Sequence, residues 1–187
     1  MYGKKLSEMS LEELWQLFPI FLTEHQDCWK VWFADEKADL EKIIPQAARI
    51  EHIGSTAVSS IWAKPIIDIL VEVSKECDMS NIKDLLVKNG YICMSHSDGR
   101  YSFNKGYTEN GFSEKVFHLH LRHIGDNDEL YFRDYLIEFP DVAHEYEEMK
   151  LSLWKKFEHD RDGYTSAKAE FVKKYTIEAK FQYGNRY

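Results

Sequence analysis

The segment Lys64-Pro65-Ile66-Ile67-Asp68-Ile69-Leu70-Val71-Glu72-Val73 decides the fold. It is too short and too interrupted by acids to cross a membrane, and its β-branched residues mark a strand buried on both faces. A carboxylate sits inside that apolar run at Asp68. An isolated buried carboxylate costs several kcal/mol, so Asp68 needs a cation, hydrogen-bond donors or water. Period two puts Asp68, Leu70 and Glu72 on one face. Asp68 and Glu72 are then about 13 Å apart, too far to share one metal ion unless the strand bends. An ion pair between Asp68 and Lys64 is the structural alternative, and Glu72 reads as exposed at the strand end.

Immediately upstream, Arg49 to Ile53 reads as a short strand, followed by the small-residue loop from Gly54-Ser55-Thr56 to Trp62. Glycine lets backbone N–H groups approach an anion, and Ser55 and Thr56 add hydroxyl donors. A loop of this kind can cradle a phosphate, or it can simply cap a helical turn. Downstream, Val116-Phe117-His118-Leu119-His120-Leu121-Arg122 alternates apolar and polar residues. His118, His120 and Arg122 therefore share a face, the two histidines about 6–7 Å apart. Same-face histidines suit a metal ion or a phosphate, but a solvated strand face has the same pattern. His123 breaks the alternation and reads as exposed. A third group is Arg161-Asp162-Gly163-Tyr164-Thr165-Ser166-Ala167-Lys168. On a helix Tyr164, Lys168 and Phe171 share a face. Arg161 and Lys168 either complete an anion site or cover apolar surface with their stems, the second reading being slightly favoured. Arg133 and Asp134 suit an ion pair to another element.

The remaining chain supplies a helical setting. Helices are predicted over 7–17, with Ser10 and Glu13 as a capping box, over 27–44, ended by Pro45, and over 81–88, ended by Asn89-Gly90. Residues 18–24, interrupted by Pro19, read as an extended segment or edge strand. Strands are predicted over 91–94, 101–107 and 115–122, with a hairpin-like connection over 106–111. Helices follow over 128–139, 141–158 and 163–181, the first two separated by Pro140. This order is α+β: a mixed sheet with an N-terminal helix and C-terminal helices. Without repeats, low-complexity tracts or a Pro/Gly-rich linker, residues 1–187 read as one domain, with a core over about 18–125 and a helical part over about 126–187.

Composition bounds the partners. The 187 residues are 44% hydrophobic and 14% aromatic, with a net charge of −8. A core of ordinary size can form. The acidic balance argues against broad nucleic-acid binding, although a local basic pocket for a small phosphorylated ligand remains open. Cys28, Cys77 and Cys93 have no metal-ligand spacing and read as reduced thiols, which points to the cytoplasm. The basic start, Met1 to Lys5, leads into no apolar run of signal-peptide or membrane-span length. Oligomeric state is open, a homo-oligomer included.

Ile50-Glu51-His52-Ile53-Gly54-Ser55-Thr56-Ala57-Val58 followed by Ala63-Lys64-Pro65-Ile66-Ile67-Asp68-Ile69 resembles the signature of the GrpB-like proteins. His118-Leu119-His120, Phe132-Arg133-Asp134-Tyr135-Leu136 and Tyr164-Thr165-Ser166-Ala167-Lys168 match in the same order. The resemblance covers about residues 18 to 180. It implies the nucleotidyltransferase superfamily, with its polymerase-β-like fold. That pattern has a Gly-Ser pair, then an acid in an apolar strand, then a second acid two positions on. Gly54-Ser55 and Asp68 match, whereas Leu70 stands where the second acid belongs. Ser59-Ser60 also replaces a pair that is often Pro-Gly.

The resemblance implies a metal-dependent nucleotidyltransferase that passes a nucleotidyl group from a nucleoside triphosphate to an unidentified acceptor. Asp68 would be catalytic and would hold Mg²⁺ or Mn²⁺, with His118 and His120 as replacement ligands. Gly54, Ser55, Thr56, Lys64, Arg100 and Lys105 would bind the phosphates. Glu51, His52, Glu72, Arg161 and Lys168 are additional candidates. Two alternatives remain open: a non-catalytic module binding a nucleotide or phosphorylated small molecule, and a metal-binding hydrolase centred on His118 and His120.

Overall fold

A computed structural model describes residues 4–187; Met1 to Gly3, part of the basic start noted above, lie outside the described residues. After a short 3₁₀ turn, helix α1 (Leu11–Leu17) opens on the expected capping box: Ser10 Oγ accepts from the Glu13 N–H, and Glu13 accepts from the Ser10 N–H at 2.7 Å. Residues 18–24 form no named strand. Thr23 pairs with Ala63 in an isolated antiparallel bridge, which ties this segment beside the loop after β1 (Arg49–Ile53).

The sheet has five strands in the order β1, β2 (Ile67–Val73), β5 (Gly111–His123), β4 (Arg100–Thr108), β3 (Ile92–Ser97). All neighbours are antiparallel except β2 and β5, which run parallel. A parallel pair needs a crossover. Helix α3 (Met79–Lys88) and the β3–β4 hairpin supply it. The fold is α+β with a mixed sheet, as the sequence predicts.

Each strand divides its residues between two environments. Ile67, Ile69, Val71, Val73, Phe117, Leu119 and Leu121 are buried against helix α2 (Cys28–Ile43) and α3, in the core that also holds Trp29, Leu40 and Leu86. Burying one such side chain contributes about 1.5–3 kcal/mol. The opposite face is polar: Asp68 lies beside His118, Leu70 beside His120, and Glu72 beside Arg122. Helices α4 (Asp128–Glu138), α5 (Pro140–Lys156) and α6 (Arg161–Tyr183) pack together around Tyr131, Tyr135, Tyr146 and Tyr175.

Glu72 corrects one expectation. It is 1% exposed, not solvated. Its carboxylate accepts from Arg49 at 2.6 Å, the Gly125 N–H at 2.9 Å and Asn127 at 3.0 Å. Three donors offset the cost of burying it. Glu72 is thus an anchor between β1, β2 and the turn after β5, away from the Gly54 loop. His123 is half-buried rather than exposed. Among the described residues no helix is long and apolar enough to cross a membrane, and all three cysteines are free.

Candidate functional site

Gly54 lies where β1 turns away from β2. Its φ of +71° with ψ of −173° belongs to a region that side chains rarely enter. Any Cβ there would also collide with the Asp68 carboxylate. Glycine is therefore required twice, by conformation and by close approach. Ser55–Ala57 then form a 3₁₀ turn. Thr56 donates its hydroxyl to the Ile66 carbonyl at 3.2 Å, and its oxygen meets His52 Nε2 at 2.9 Å. Those bonds leave Thr56 occupied with holding the loop against β2.

A cavity of about 170 Å³ opens over this loop, lined by Ser55, Lys64, Asp68 and His118 among others from the sheet side. The C-terminal helices complete it with Tyr146 and Lys150 of α5 and Tyr164 and Lys168 of α6. Both tyrosine–lysine pairs have i,i+4 spacing, which stacks them on one helix face. The Lys150 ammonium lies 4.9 Å from the Tyr146 ring centre, and that of Lys168 4.4 Å from the Tyr164 ring. Lys64 also faces Tyr164, at 5.4 Å. Lys150 reaches Ser55 Oγ at 3.1 Å and donates to the Trp62 carbonyl.

Electrostatically the cavity is cationic. None of the three ammonium groups forms a salt bridge among the described residues. Burial first, then repulsion from Lys168, pushes Lys64 and Lys150 down to about 7. Burial likewise pushes Lys168 down to about 8. Lys150 is buried and Lys64 and Lys168 are half-buried. Cations withdrawn from water without an ion-pair partner are costly, and a bound anion would relieve that cost. Tyr164, 1% exposed, lines the same space, and its hydroxyl has no hydrogen-bond partner among the described residues.

Among the described residues Asp68 is the one acid lining the cavity. Its Oδ1 lies 3.3 Å from His118 Nδ1 and 4.0 Å from His120 Nε2, while Oδ2 lies against Gly54. Burial would raise its pKa, but the two histidines outweigh that and hold it well below the usual carboxylate range. Burial lowers His118, so the neutral ring donates from Nδ1 to an ionised Asp68. His118 Nε2 then accepts from the Tyr107 hydroxyl at 2.8 Å, and Tyr107 accepts from Arg161 at 2.8 Å. Every donor points the same way along Arg161, Tyr107, His118 and Asp68. His120 meets Arg122 through Nδ1 at 3.2 Å. Lys64 is not the ion-pair partner of Asp68.

The structure thus brings together Gly54, Ser55, Thr56, Lys64, Asp68, His118 and Lys168, with Arg161 and His120 one step behind. It does not bring Arg100 or Lys105. Arg100 lies at the far end of β4, paired with Asp126 at 2.6 Å and largely exposed. Lys105 points to the opposite face of the sheet, where it meets Glu36 at 2.6 Å and the Phe117 ring. Glu51 is held by Arg133 at 3.0 Å, and Arg133 also holds the His52 carbonyl. His52 stacks on Phe33 behind the loop, where burial lowers its pKa to about 4. The sequence reading missed Lys150, Tyr146 and Tyr107. The repeated Tyr-x-x-x-Lys spacing at 146–150 and 164–168 was the available signal.

A divalent-metal centre does not fit these residues. Leu70, in place of the second acid, is fully buried beside Ile53 and Leu130. Both ring nitrogens of His118 are engaged, and Asp68 offers the cavity a single carboxylate. Among the described residues no three His, Cys, Asp or Glu side chains are grouped to hold a metal ion. Magnesium prefers several oxygen ligands, and here three ammonium groups share the cavity with one carboxylate.

The model of the GrpB protein family matches residues 19–178. The glutamate-rich protein GrpB of Alkalihalophilus pseudofirmus is 38% identical over 163 residues, covering 82% of this chain and 91% of that one. The UPF0157 protein YqkA of Bacillus subtilis is 30% identical over 90% of this chain, which spans only 50% of YqkA's length. A crystal structure of GrpB from Enterococcus faecalis superposes with a TM-score of 0.76 at 31% identity, covering 87% of this chain and 99% of that one. The Cid1 poly(U) polymerase bound to MgATP gives a TM-score of 0.50 at 12% identity, over 68% of this chain and 42% of that one. That likeness concerns the fold, which is nucleotidyltransferase-like. With a family model over residues 19–178 and a relative 38% identical of which the chain covers 91%, the chain belongs to the GrpB family.

Proposed function

We propose that this protein binds a phosphorylated small molecule, with the phosphate seated between the Gly54–Thr56 loop and Lys64, Lys150 and Lys168. The observation that carries the reading is the set of three ammonium groups, Lys150 buried and Lys64 and Lys168 half-buried, facing one carboxylate in a single cavity. At about 170 Å³ the cavity falls below the roughly 300–1,000 Å³ of pockets that enclose whole drug-sized ligands. It suits the phosphate end of a ligand, not all of a nucleotide. The rest of the ligand would extend into an adjoining cleft of about 130 Å³, lined by Pro19, Phe21, Pro65 and Phe112, which shares Lys64 with the cavity.

This is the binding-module reading of the nucleotidyltransferase-like fold. Nucleotidyl transfer assisted by Mg²⁺ or Mn²⁺ is the stronger claim implied by the family resemblance, and the donor set around Asp68 does not favour it. The hydrolase reading needs His118 free to ligate a metal, and both of its nitrogens are engaged. The cytoplasmic setting fits the three free thiols.

Calorimetric titration of inorganic pyrophosphate into the protein at pH 6.5 and low salt tests the proposal. Saturable binding is expected, and Lys168→Met should weaken it by about tenfold, the scale of one charge-assisted contact. Lys168 is partly exposed on α6, so the variant should fold. Equal affinity in wild type and variant, or no binding by either, contradicts the reading.

A further inference from the structure

The same cavity says what must accompany the phosphate. In this fold class, carboxylates ordinarily recruit a divalent cation, and the cation neutralises the phosphates. Here the positive charge is already built into the chain. Lys64, Lys150 and Lys168 come from three separate elements: the entry to β2, α5 and α6. Each lies against a tyrosine ring, which fixes the ammonium group without neutralising it. Lys150 is further fixed by Ser55 and the Trp62 carbonyl. Arg161 adds a fourth cation behind Tyr107.

The acidic side is correspondingly reduced. Leu70 stands where the family resemblance implies a second carboxylate, and it is buried. Asp68 faces two histidines through one oxygen and lies against Gly54 with the other, so the chain offers a cation one carboxylate, already shared with two imidazoles and outnumbered by ammonium groups. A Mg²⁺–phosphate complex would bring extra positive charge into a space holding three ammonium groups and one carboxylate. A free oligophosphate would bring the opposite charge.

We infer that this pocket binds its phosphate ligand free of divalent metal, with the ammonium groups of Lys64, Lys150 and Lys168 in the place a cation would occupy. The inference rests on the phosphate-binding reading above and adds the ionic form of the ligand. It also reverses the role of Asp68. As a metal ligand, Asp68 would be indispensable; in a lysine cradle, its charge repels the phosphate and opposes binding, while its shape orients His118.

Asp68→Asn separates the two accounts, because asparagine keeps the size of the side chain and can accept from His118. Inorganic tripolyphosphate is titrated calorimetrically into wild type and variant, once with EDTA and once with excess Mg²⁺. Wild type should bind in EDTA at least as tightly as in Mg²⁺. Asp68→Asn should bind in EDTA about threefold tighter or more, a modest gain for removing one like charge at a partly solvated site. Binding that requires Mg²⁺, or that is lost in Asp68→Asn, overturns the metal-free inference and leaves the phosphate pocket standing. No binding in either buffer overturns both. Should the variant fail to fold, the wild-type comparison of EDTA with Mg²⁺ still decides the question.

Discussion

Gly54 carries the tightest local requirement in the molecule. The backbone must turn at φ +71° so that the loop can lie against Asp68. Gly54→Ala faces conformational strain and a collision with the carboxylate together. The expected loss is about 2–4 kcal/mol of stability, measurable by urea denaturation. Unchanged stability would mean that the loop relaxes away from β2, and the contact between Gly54 and Asp68 would lose its importance. Asp68 itself shows how a half-buried acid is satisfied by neighbouring side chains. Its partners are ring N–H groups on the neighbouring strand, oriented in turn by Tyr107 and Arg161. Sequence parity put His118 and His120 on one face of their strand and Asp68, Leu70 and Glu72 on one face of theirs; the register of β2 with β5 joins the two. Parity could not reveal that Tyr107 and Arg161 occupy the far side of the His118 ring, because that contact joins a hairpin end to a helix start.

Helix α5 clamps the loop that shapes the cavity. Glu147 accepts from the Trp62 N–H at 2.6 Å, and Lys150, one turn later, donates to the Trp62 carbonyl. One helix face thereby satisfies both backbone groups of a loop residue 85 positions away. Glu147→Ala leaves that N–H without its partner and Lys150 without its nearest counter-charge. A loss of about 1–3 kcal/mol is expected in chemical denaturation. Stability equal to wild type would show that the clamp contributes nothing. The element boundaries were largely legible in the sequence. The capping box at Ser10, the alternation around His118 and the Pro140 break all mark real features. The functional side of α5 was not legible, since Tyr146 and Lys150 fit an ordinary amphipathic helix and only the tertiary packing aims them at Gly54. Of the two readings offered for residues 18–24, the extended segment is the one found, with a single bridge from Thr23 to Ala63 among the described residues.

For the whole molecule, the parallel pairing of β2 with β5 sets Asp68 beside His118, and the C-terminal helices close the site with lysines. The sequence could not show that closure, and it misplaced Arg100 and Lys105 for the same reason. Arg100 has the right parity but lies too far along β4, and Lys105 has the wrong face. Glu72 looked like a solvated strand end because Arg49 and Asn127 reach it only in the folded chain. The lysine cradle makes stability and binding depend on pH in opposite ways. Lys64 and Lys150 near 7 and Lys168 near 8 lie below the ordinary lysine value of 10.5. The unfolded chain therefore binds more protons between about pH 7 and 10.5, and these groups favour the empty folded state increasingly as pH rises through that window. A bound phosphate reverses the balance, since it favours the charged lysines. Arg161, Asp68 and Glu147 are the other charged groups facing the lysines, and His118, lowered by burial, donates to Asp68.

Proton uptake on binding therefore tests the central claim most directly. Tripolyphosphate is titrated into wild type and Lys168→Met at pH 8, in two buffers of different ionisation enthalpy, so that the ligand's own protonation cancels in the comparison. The lysine cradle predicts that wild type takes up more protons than the variant and that its affinity falls more steeply from pH 6.5 to 9. Equal proton uptake and parallel pH profiles would contradict it.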